Sequence, residues 1–255
     1  MINATCINTN YKYSICTLIT NEDEYQVMLD SFRKKGFNDT NTEFIYIDNI
    51  SMNSFDAYSG INHMLNISTG QYIILCHQDI VIRYDDESIL FERLLQLDKK
   101  DKNWALAGNA GGIDLRHTAA IITDPNGTII RGRFPQRVKS LDENFIIVNQ
   151  CNRIAASGDL TGFHLYGADL CLIADILGYS SYVIDFHLLH KSKGDINQSF
   201  FDCKKSLIQK YNRSLKSRYI RTTCTRFFLS KSRFHSSLFN KKRILNIISF
   251  LRLGS

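Results

Sequence analysis

Dense apolar runs alternate with stretches of helical period through the first hundred residues. Tyr13–Thr20 (YSICTLIT) is apolar and bounded by polar residues, the pattern of a buried strand. Asn21 followed by Glu22, Asp23 and Glu24 gives a helix start, a short polar cap with acids in the first turn. That helix is predicted to run to Lys35, where Gly36 stops it. Glu43–Asp48 (EFIYID) reads as a second strand ending on Asp48-Asn49. Ser54–Ile67 places Ala57, Ile61, Met64 and Leu65 at helical spacing. A third strand, Tyr72–Cys76, runs into the polar triplet His77-Gln78-Asp79, after which the apolar pattern resumes at Ile80. Asp85–Asp98 is a further amphipathic helix and Trp104–Ala107 a fourth short strand. Strands alternating with helices predict a largely parallel sheet with right-handed crossovers.

Beyond Trp104 the alternation loosens. Ala119–Thr123 and Thr128–Ile130 flank Asp124-Pro125-Asn126-Gly127, a turn cluster that predicts a hairpin. Leu141–Asn149 reads as a strand, Gly167–Gly178 as a helix and Ser181–Phe186 as a strand. His187–Asp195 reads as a polar loop and Ser199–Tyr211 as a helix. No G-x-G-x-x-G follows the first strand and no G-x-x-x-x-G-K-[ST] occurs, which argues against a dinucleotide fold and excludes a P-loop.

Charge divides the chain in two. Between Lys204 and Arg252 there are 14 Lys and Arg and, after Asp202, no acid; the other 17 basic residues face all 25 acids. An acidic body over residues 1–203 is therefore expected to carry a basic extension over residues 204–255. The seven cysteines form no C-x-x-C pair, which indicates neither a zinc site nor a disulfide framework, and a reducing compartment fits them best. Met1–Asn10 lacks a basic region followed by an apolar one, so no secretory signal is expected there. No apolar run is long enough to span a bilayer.

The third strand raises the chemical question. In an open α/β sheet, ligands bind at the carboxyl ends of the strands, and His77-Gln78-Asp79 stands at such an end. On this segment alone, Asp79 is either a solvated turn residue or an acid held to grip a metal. Other segments bear on the choice. YSICTLITNEDEY, the strand ending in Asp48-Asn49, Asn62, GQYIILCHQDIVI, WALAGNAGG, LDENFIIV, FHLYGADLCLIADILGY and HKSKG follow one another in an order that resembles the GT-A glycosyltransferases. The resemblance is to their family 2-like group from bacterial surface-polysaccharide synthesis, and it spans about residues 13–195. His-Gln-Asp stands where that family carries an acidic D-x-D and resembles a variant of it.

The resemblance implies a GT-A (nucleotide-diphospho-sugar transferase) α/β fold, with a mostly parallel central sheet flanked by helices and a basic helical C-terminal extension. It implies an inverting, metal-dependent transfer of a sugar from a nucleotide-sugar, a UDP-sugar first, to a glycan or lipid-linked glycan. Mn²⁺ or Mg²⁺ falls to Asp79 and His190, donor contacts to Asp48, Asn62, His77, Gln78 and Gly108, with His77 either orienting the ribose or serving as a further metal ligand, and the general base to Asp169. Such a base takes the acceptor hydroxyl's proton, and a bound divalent cation offsets charge on the departing diphosphate. Asp142 and Glu143 are the runner-up acids. Gly111 and Gly112 suit close backbone approach to the donor, His164 and Tyr166 either shape the acceptor pocket or belong to the core, and Trp104 is expected in the core.

The extension mixes Lys and Arg with Phe, Leu and Ile, which suits either an anionic membrane surface or packing on the acidic body; nucleic acid ranks below both. A cytoplasmic protein, peripheral on the inner membrane's cytoplasmic face, is the expected location. Two other readings stay open: a non-catalytic nucleotide- or glycan-binding protein on the same fold, and an adaptor acting through its basic tail.

Overall fold

The computed structural model describes residues 10–250, save 193, 195, 196, 215 and 222. Cys6 and parts of the N-terminal and His187–Asp195 segments thus lie outside the described residues. Two compact units divide between Lys204 and Lys205.

The first unit opens with β1 (Tyr11–Ile19), α1 (Glu22–Lys34), β2 (Thr42–Asp48), α2 (Ala57–Ile67), β3 (Gly70–Cys76), β4 (Ile80–Val81), α3 (Glu87–Lys100) and β5 (Trp104–Gly108). This is the predicted alternation. Its helices begin where short polar side chains cap them: Asn21 accepts from Glu24 N, Asp56 from Ser59 N and Asp86 from Ile89 N. Gly36, at φ 95°, ends α1 as predicted. There follow β6 (Ala110–Gly112), β7 (Thr118–Asp124), β8 (Gly127–Arg131), β9 (Gln136–Val138), β10 (Ser140–Leu141), β11 (Phe145–Asn149), α4 (Tyr166–Ile176), β12 (Ser180–Val183) and β13 (Leu188–His190).

The main sheet has the order β2-β1-β3-β11-β5-β12-β9. β1, β2 and β3 are parallel to one another, and β12 is parallel to β5. The fold is GT-A-like, but its sheet is mixed: β11 runs antiparallel to both β3 and β5. The single strand expected over Leu141–Asn149 is broken at Asp142–Asn144, so that β10 joins a second sheet while β11 enters the main one. That smaller sheet has the order β10-β6-β7-β13-β4, with β8 on β7 as the predicted hairpin.

The core lies against β3, where Ile73 and Ile74 are fully buried. Trp104 is buried as expected and stacks on Tyr72, ring centroids 6.0 Å apart. Its indole N–H donates to Asp98 Oδ1 at 2.7 Å while Tyr72 donates to Oδ2 at 3.0 Å, so both buried polar ends are satisfied by one carboxylate. β3 starts where nothing larger than glycine fits: a Cβ on Gly70 would sit 2.5 Å from Ser14 N and 2.6 Å from Ser14 Oγ. Gly70→Ala will therefore cost about 1–3 kcal/mol of stability, the range for overpacking. A urea titration will show it as a lower midpoint at unchanged slope.

The helix α5 (Gln198–Ser214) runs across the division. In the second unit β14 (Arg218–Arg221) and β15 (Arg226–Leu229) form an antiparallel hairpin, followed by α6 (Arg233–Phe239) and α7 (Lys242–Phe250). The extension is thus not wholly helical, contrary to expectation. RYIR and RFFL pair because Tyr219 lies directly opposite Phe228, ring centroids 4.6 Å apart, a cross-strand aromatic pair. Of the described cysteines, Cys16, Cys76, Cys171 and Cys203 are buried, Cys151 and Cys224 exposed, and none is bridged. No helix of the described residues is long and apolar enough to cross a membrane.

Candidate metal centre and donor cavity

β3 delivers its buried run to the end of the sheet and the chain then turns. His77 N donates to Asn144 O at 3.0 Å, and Ile80 N donates back to His77 O at 3.3 Å, which closes the turn and presents His77, Gln78 and Asp79. β4 leaves that turn and pairs antiparallel with β13, His190 opposite Ile80. Lys191 N donates to Asp79 O at 3.1 Å. Residues far apart in the chain are thereby fixed side by side. His190 Nε2 lies 3.3 Å from Asp79 Oδ2, with only 12% and 14% of those side chains exposed. The His77 and His190 rings are 5.9 Å apart, and one ligand atom from each of His77, Asp79 and His190 lies within 4.8 Å of the others. The predicted polar loop is thus partly a strand. Three residues, Leu188–His190, were too few to show a period, and it is pairing with β4 and β7 that makes them β.

The electrostatics follow from the geometry. Burial works against a charge on Asp79, yet the His190 hydrogen bond and charge, with Ser192 and His77 adding to them, hold its carboxyl at about 2. Burial pushes His77 below the ordinary imidazole range, against the pull of Asp79. Burial also opposes charge on His190, but the Asp79 hydrogen bond and charge raise it. A carboxylate therefore sits between one imidazole shifted toward its neutral form and one shifted toward its charged form; a charged imidazole does not ligate, so metal affinity is expected to rise with pH.

One hydroxyl fixes the tautomer of His77. Tyr166 Oη donates to the Glu143 carbonyl at 3.0 Å, and a carbonyl only accepts. Its single proton is thus committed, and the 2.9 Å contact with His77 Nε2 must have the imidazole as donor. Nδ1 is left with the lone pair. This is the outer hydrogen bond that metal-binding histidines use to set their orientation. Tyr166→Phe will lower Mn²⁺ affinity about 10- to 100-fold, measured by calorimetric titration, while the ring's packing is retained.

The donor set fits a divalent cation. At Mg²⁺-like ligand distances of roughly 2.1 Å, ligand atoms stand about 3 Å apart when cis and about 4.2 Å when trans, so a spread of 4.8 Å needs only a small closure. One carboxylate with two imidazoles favours Mn²⁺ over Mg²⁺.

Beside His190, and lined by His77 and Asp79 themselves, opens a cavity of about 270 Å³, walled by Cys16, Leu18 and Thr20 of β1 and its end, by Asn49 after β2, by Ala57, Ile61 and Met64 of α2, by the β3 turn, and by Phe163 and Tyr166. This is just under the roughly 300–1,000 Å³ of drug-sized sites. Asn49 holds the wall in place: its amide donates to Phe55 O at 2.8 Å and accepts from Phe55 N at 3.3 Å.

The other expected site residues fall into different places. Asp48 is exposed at the end of β2 and accepts from Ile50 N at 2.8 Å. Gln78 lines the cavity, but its amide clasps the start of α1, accepting from Thr20 N and Asn21 N at 2.7 and 3.0 Å and donating to Thr20 Oγ1 at 2.9 Å. Asn62 is engaged in a two-way bond with the Ala156 backbone, at 2.9 and 2.8 Å. Gly108 serves the sheet, since a Cβ there would meet Phe145 O at 2.9 Å and the Leu141 side chain at 3.0 Å. The His164 ring packs edge-on against Phe200, while Tyr166 lines the cavity.

Asp169 stands apart from the cavity. It is fully buried, and its two oxygens accept from Ser157 N at 2.7 Å and Ser157 Oγ at 2.6 Å. So placed it brackets the Ser157 segment. The runner-up acids lie at the break between β10 and β11. Asp142 is exposed, and its charge pulls upward on both imidazoles, adding to the rise of His190 and only partly offsetting the burial that lowers His77. Glu143 lies against the N-terminus of α4 and accepts from Gly167 N at 3.3 Å. That helix start has no side-chain cap of its own, and Leu165 ahead of it takes the left-handed conformation, φ 66°. Burial lifts the Glu143 carboxyl to about 8, with the Asp142 charge adding to it and the α4 amides pulling the other way.

No protein-family model matches the chain. A curated relative does: the chain is 36% identical over 218 residues to a Fuscovulum blasticum protein named "ATP synthase subunits region ORF 6", covering 82% of this chain and 86% of that one. Among solved structures, the mannosyltransferase PcManGT of Pyrobaculum calidifontis, in complex with GDP-Man and Mn²⁺, superposes with a TM-score of 0.50 at 11% identity, over 82% of this chain and 65% of that one. Residues 1–349 of S. aureus TarS superpose with a TM-score of 0.47 at 13% identity, over 80% and 75%.

Proposed function

The chain belongs to the family of the Fuscovulum blasticum ATP synthase subunits region ORF 6 protein, and we propose that its activity is metal-dependent transfer of a sugar from a nucleotide-sugar to a glycan or lipid-linked glycan. The observation that carries this reading is the meeting of His77, Asp79 and His190 at the carboxyl end of β3, beside a cavity bounded by β1 and α2. A site at that end of an α/β sheet is where phosphate-bearing ligands lie. The likeness to a mannosyltransferase fold is in keeping with it, and that neighbour's GDP-Man and Mn²⁺ suggest the ligand class.

In this reading the nucleoside occupies the cavity and the diphosphate reaches Asp79 and His190. A bound divalent cation supplies positive charge to the departing diphosphate. Glu143, rather than Asp169, accepts the proton of the acceptor hydroxyl. The acceptor oxygen then bonds to the sugar's anomeric carbon as the carbon–diphosphate bond breaks, with inversion. A UDP-sugar is the first donor to try, in a hexosyltransferase-type reaction serving surface-polysaccharide synthesis.

A thermal-shift series with UDP, GDP, CMP and dTDP, each with and without Mn²⁺, tests the reading. One nucleotide will stabilise the protein only when Mn²⁺ is present, by about 2.7 kcal/mol at a hundredfold excess over Kd. A folded sample that responds to none of the pairs overturns the donor assignment.

A further inference from the structure

The second unit is a built object and not a loose tail. Tyr219, Phe228 and Phe239 form an aromatic cluster, Phe228 and Phe239 with centroids 5.1 Å apart. The Asn240 side chain bonds both the N–H and the C=O of Phe228, each at 2.8 Å, and so closes α6 onto β15. With its own small core formed, the unit still leaves Phe234 72% exposed, Ile247 57% and Phe250 88%.

The arrangement of those residues is specific. In α7, Arg243, Ile247 and Phe250 recur at four- and three-residue intervals and share one face, while Ile244, Leu245 and Ile248 are half-buried. Lys241 and Lys242 stand at the head of that helix, and Lys231 and Arg233 before Phe234. Residues 205–255 contain 13 Lys and Arg and no Asp or Glu. Cations beside exposed aromatic and aliphatic side chains suit a surface that offers both negative charge and hydrocarbon. A nucleic acid offers the charge but gives Ile247 no apolar environment. At nine residues α7 is about 14 Å long, too short to span a bilayer and suited to lying in its interface.

We propose that the second unit docks the protein on an anionic lipid bilayer, with Phe234, Ile247 and Phe250 entering the headgroup–acyl boundary and the surrounding Lys and Arg facing the lipid phosphates. The proposal stands on the second unit alone and does not require sugar transfer.

Flotation of the full chain with vesicles tests it. Mixed phosphatidylcholine–phosphatidylglycerol vesicles will carry the protein upward, and pure phosphatidylcholine will not. Neutralising Lys241, Lys242 and Arg243 together by substitution with Gln will lower partitioning roughly a hundredfold, about fivefold for each charge. Phe234→Ser and Phe250→Ser will each lower it roughly tenfold. These exposed positions leave the fold intact, to be checked by an unchanged unfolding midpoint. Binding to both vesicle types alike, no binding to either, or retention by duplex DNA or RNA without vesicle binding overturns the proposal. Because flotation reads binding alone, it stands or falls separately from the nucleotide experiment.

Discussion

Asp79→Asn will abolish the Mn²⁺-dependent part of the nucleotide response and lower transfer by about 10²–10³, the scale of losing one strong electrostatic contact in a reaction that expels charge. The substitution keeps the volume and removes the carboxylate charge. In the native protein that charge survives burial only because His190 lies 3.3 Å away and Ser192 and His77 add to its support. An amide in its place offers a cation a weaker ligand. The change also removes the main support for charge on His190, whose pKa will fall. Two readouts separate a lost ligand from a lost fold. Mn²⁺ calorimetry will show weakened binding, while circular dichroism will show an unchanged fold; the unfolding midpoint at neutral pH will drop modestly, because a carboxyl held below its ordinary pKa stabilises the folded state there. An Asp79→Asn variant that binds Mn²⁺ and transfers sugar as the native protein does places the metal elsewhere.

The second large effect belongs to Glu143. At saturating Mn²⁺, so that ligand protonation drops out, transfer will rise with pH along a limb centred near 8, where this carboxyl loses its proton. Glu143→Gln will remove that limb and lower transfer by about 10²–10⁴, the range for a general base. Asp142→Asn will move the limb to lower pH, because its negative charge is one of the forces lifting Glu143. The same residue acts on stability in the opposite sense. Its folded pKa stands above the ordinary 4.5, so the protonated form favours folding and stability declines as pH rises from 4.5 through about 8. At pH 8, therefore, the Glu143→Gln variant will be more heat-stable than the native protein although it transfers far less. A loss of both together reduces Glu143 to a cap for α4.

The alternation of buried runs and amphipathic helices was plain in the sequence, because β1, β3 and β5 are buried along their length and each early helix carries its own polar cap. The reversal of β11 was not, since direction leaves no mark on an apolar run such as FIIVN. Motif order singled out Asp79 and His190, yet their meeting depends on β13, three residues whose pairing is wholly non-local. Asn62, Gln78, Gly108 and Asp169 share another difficulty. Each has a residue type that donors and acceptors use, and each is occupied by the scaffold: the Ala156 backbone, the start of α1, the closeness of β11, and Ser157. A sequence shows that a polar group is present but not whether a partner has already engaged it. Tyr166 shows the converse, an aromatic that could have been core and whose hydroxyl decides which nitrogen of His77 is free.

The pairing of β4 with β13 also sets a timetable. A chain emerging residue by residue carries Asp79 early, but the strand bearing His190 comes only at the close of the first unit, after every other strand of both its sheets. Contacts between such distant segments form late and limit folding speed. A nascent or truncated chain that ends before Leu188 has the cavity wall, His77 and Asp79, but lacks His190. On the proposed reading, metal binding at this turn is thus withheld until the body is finished.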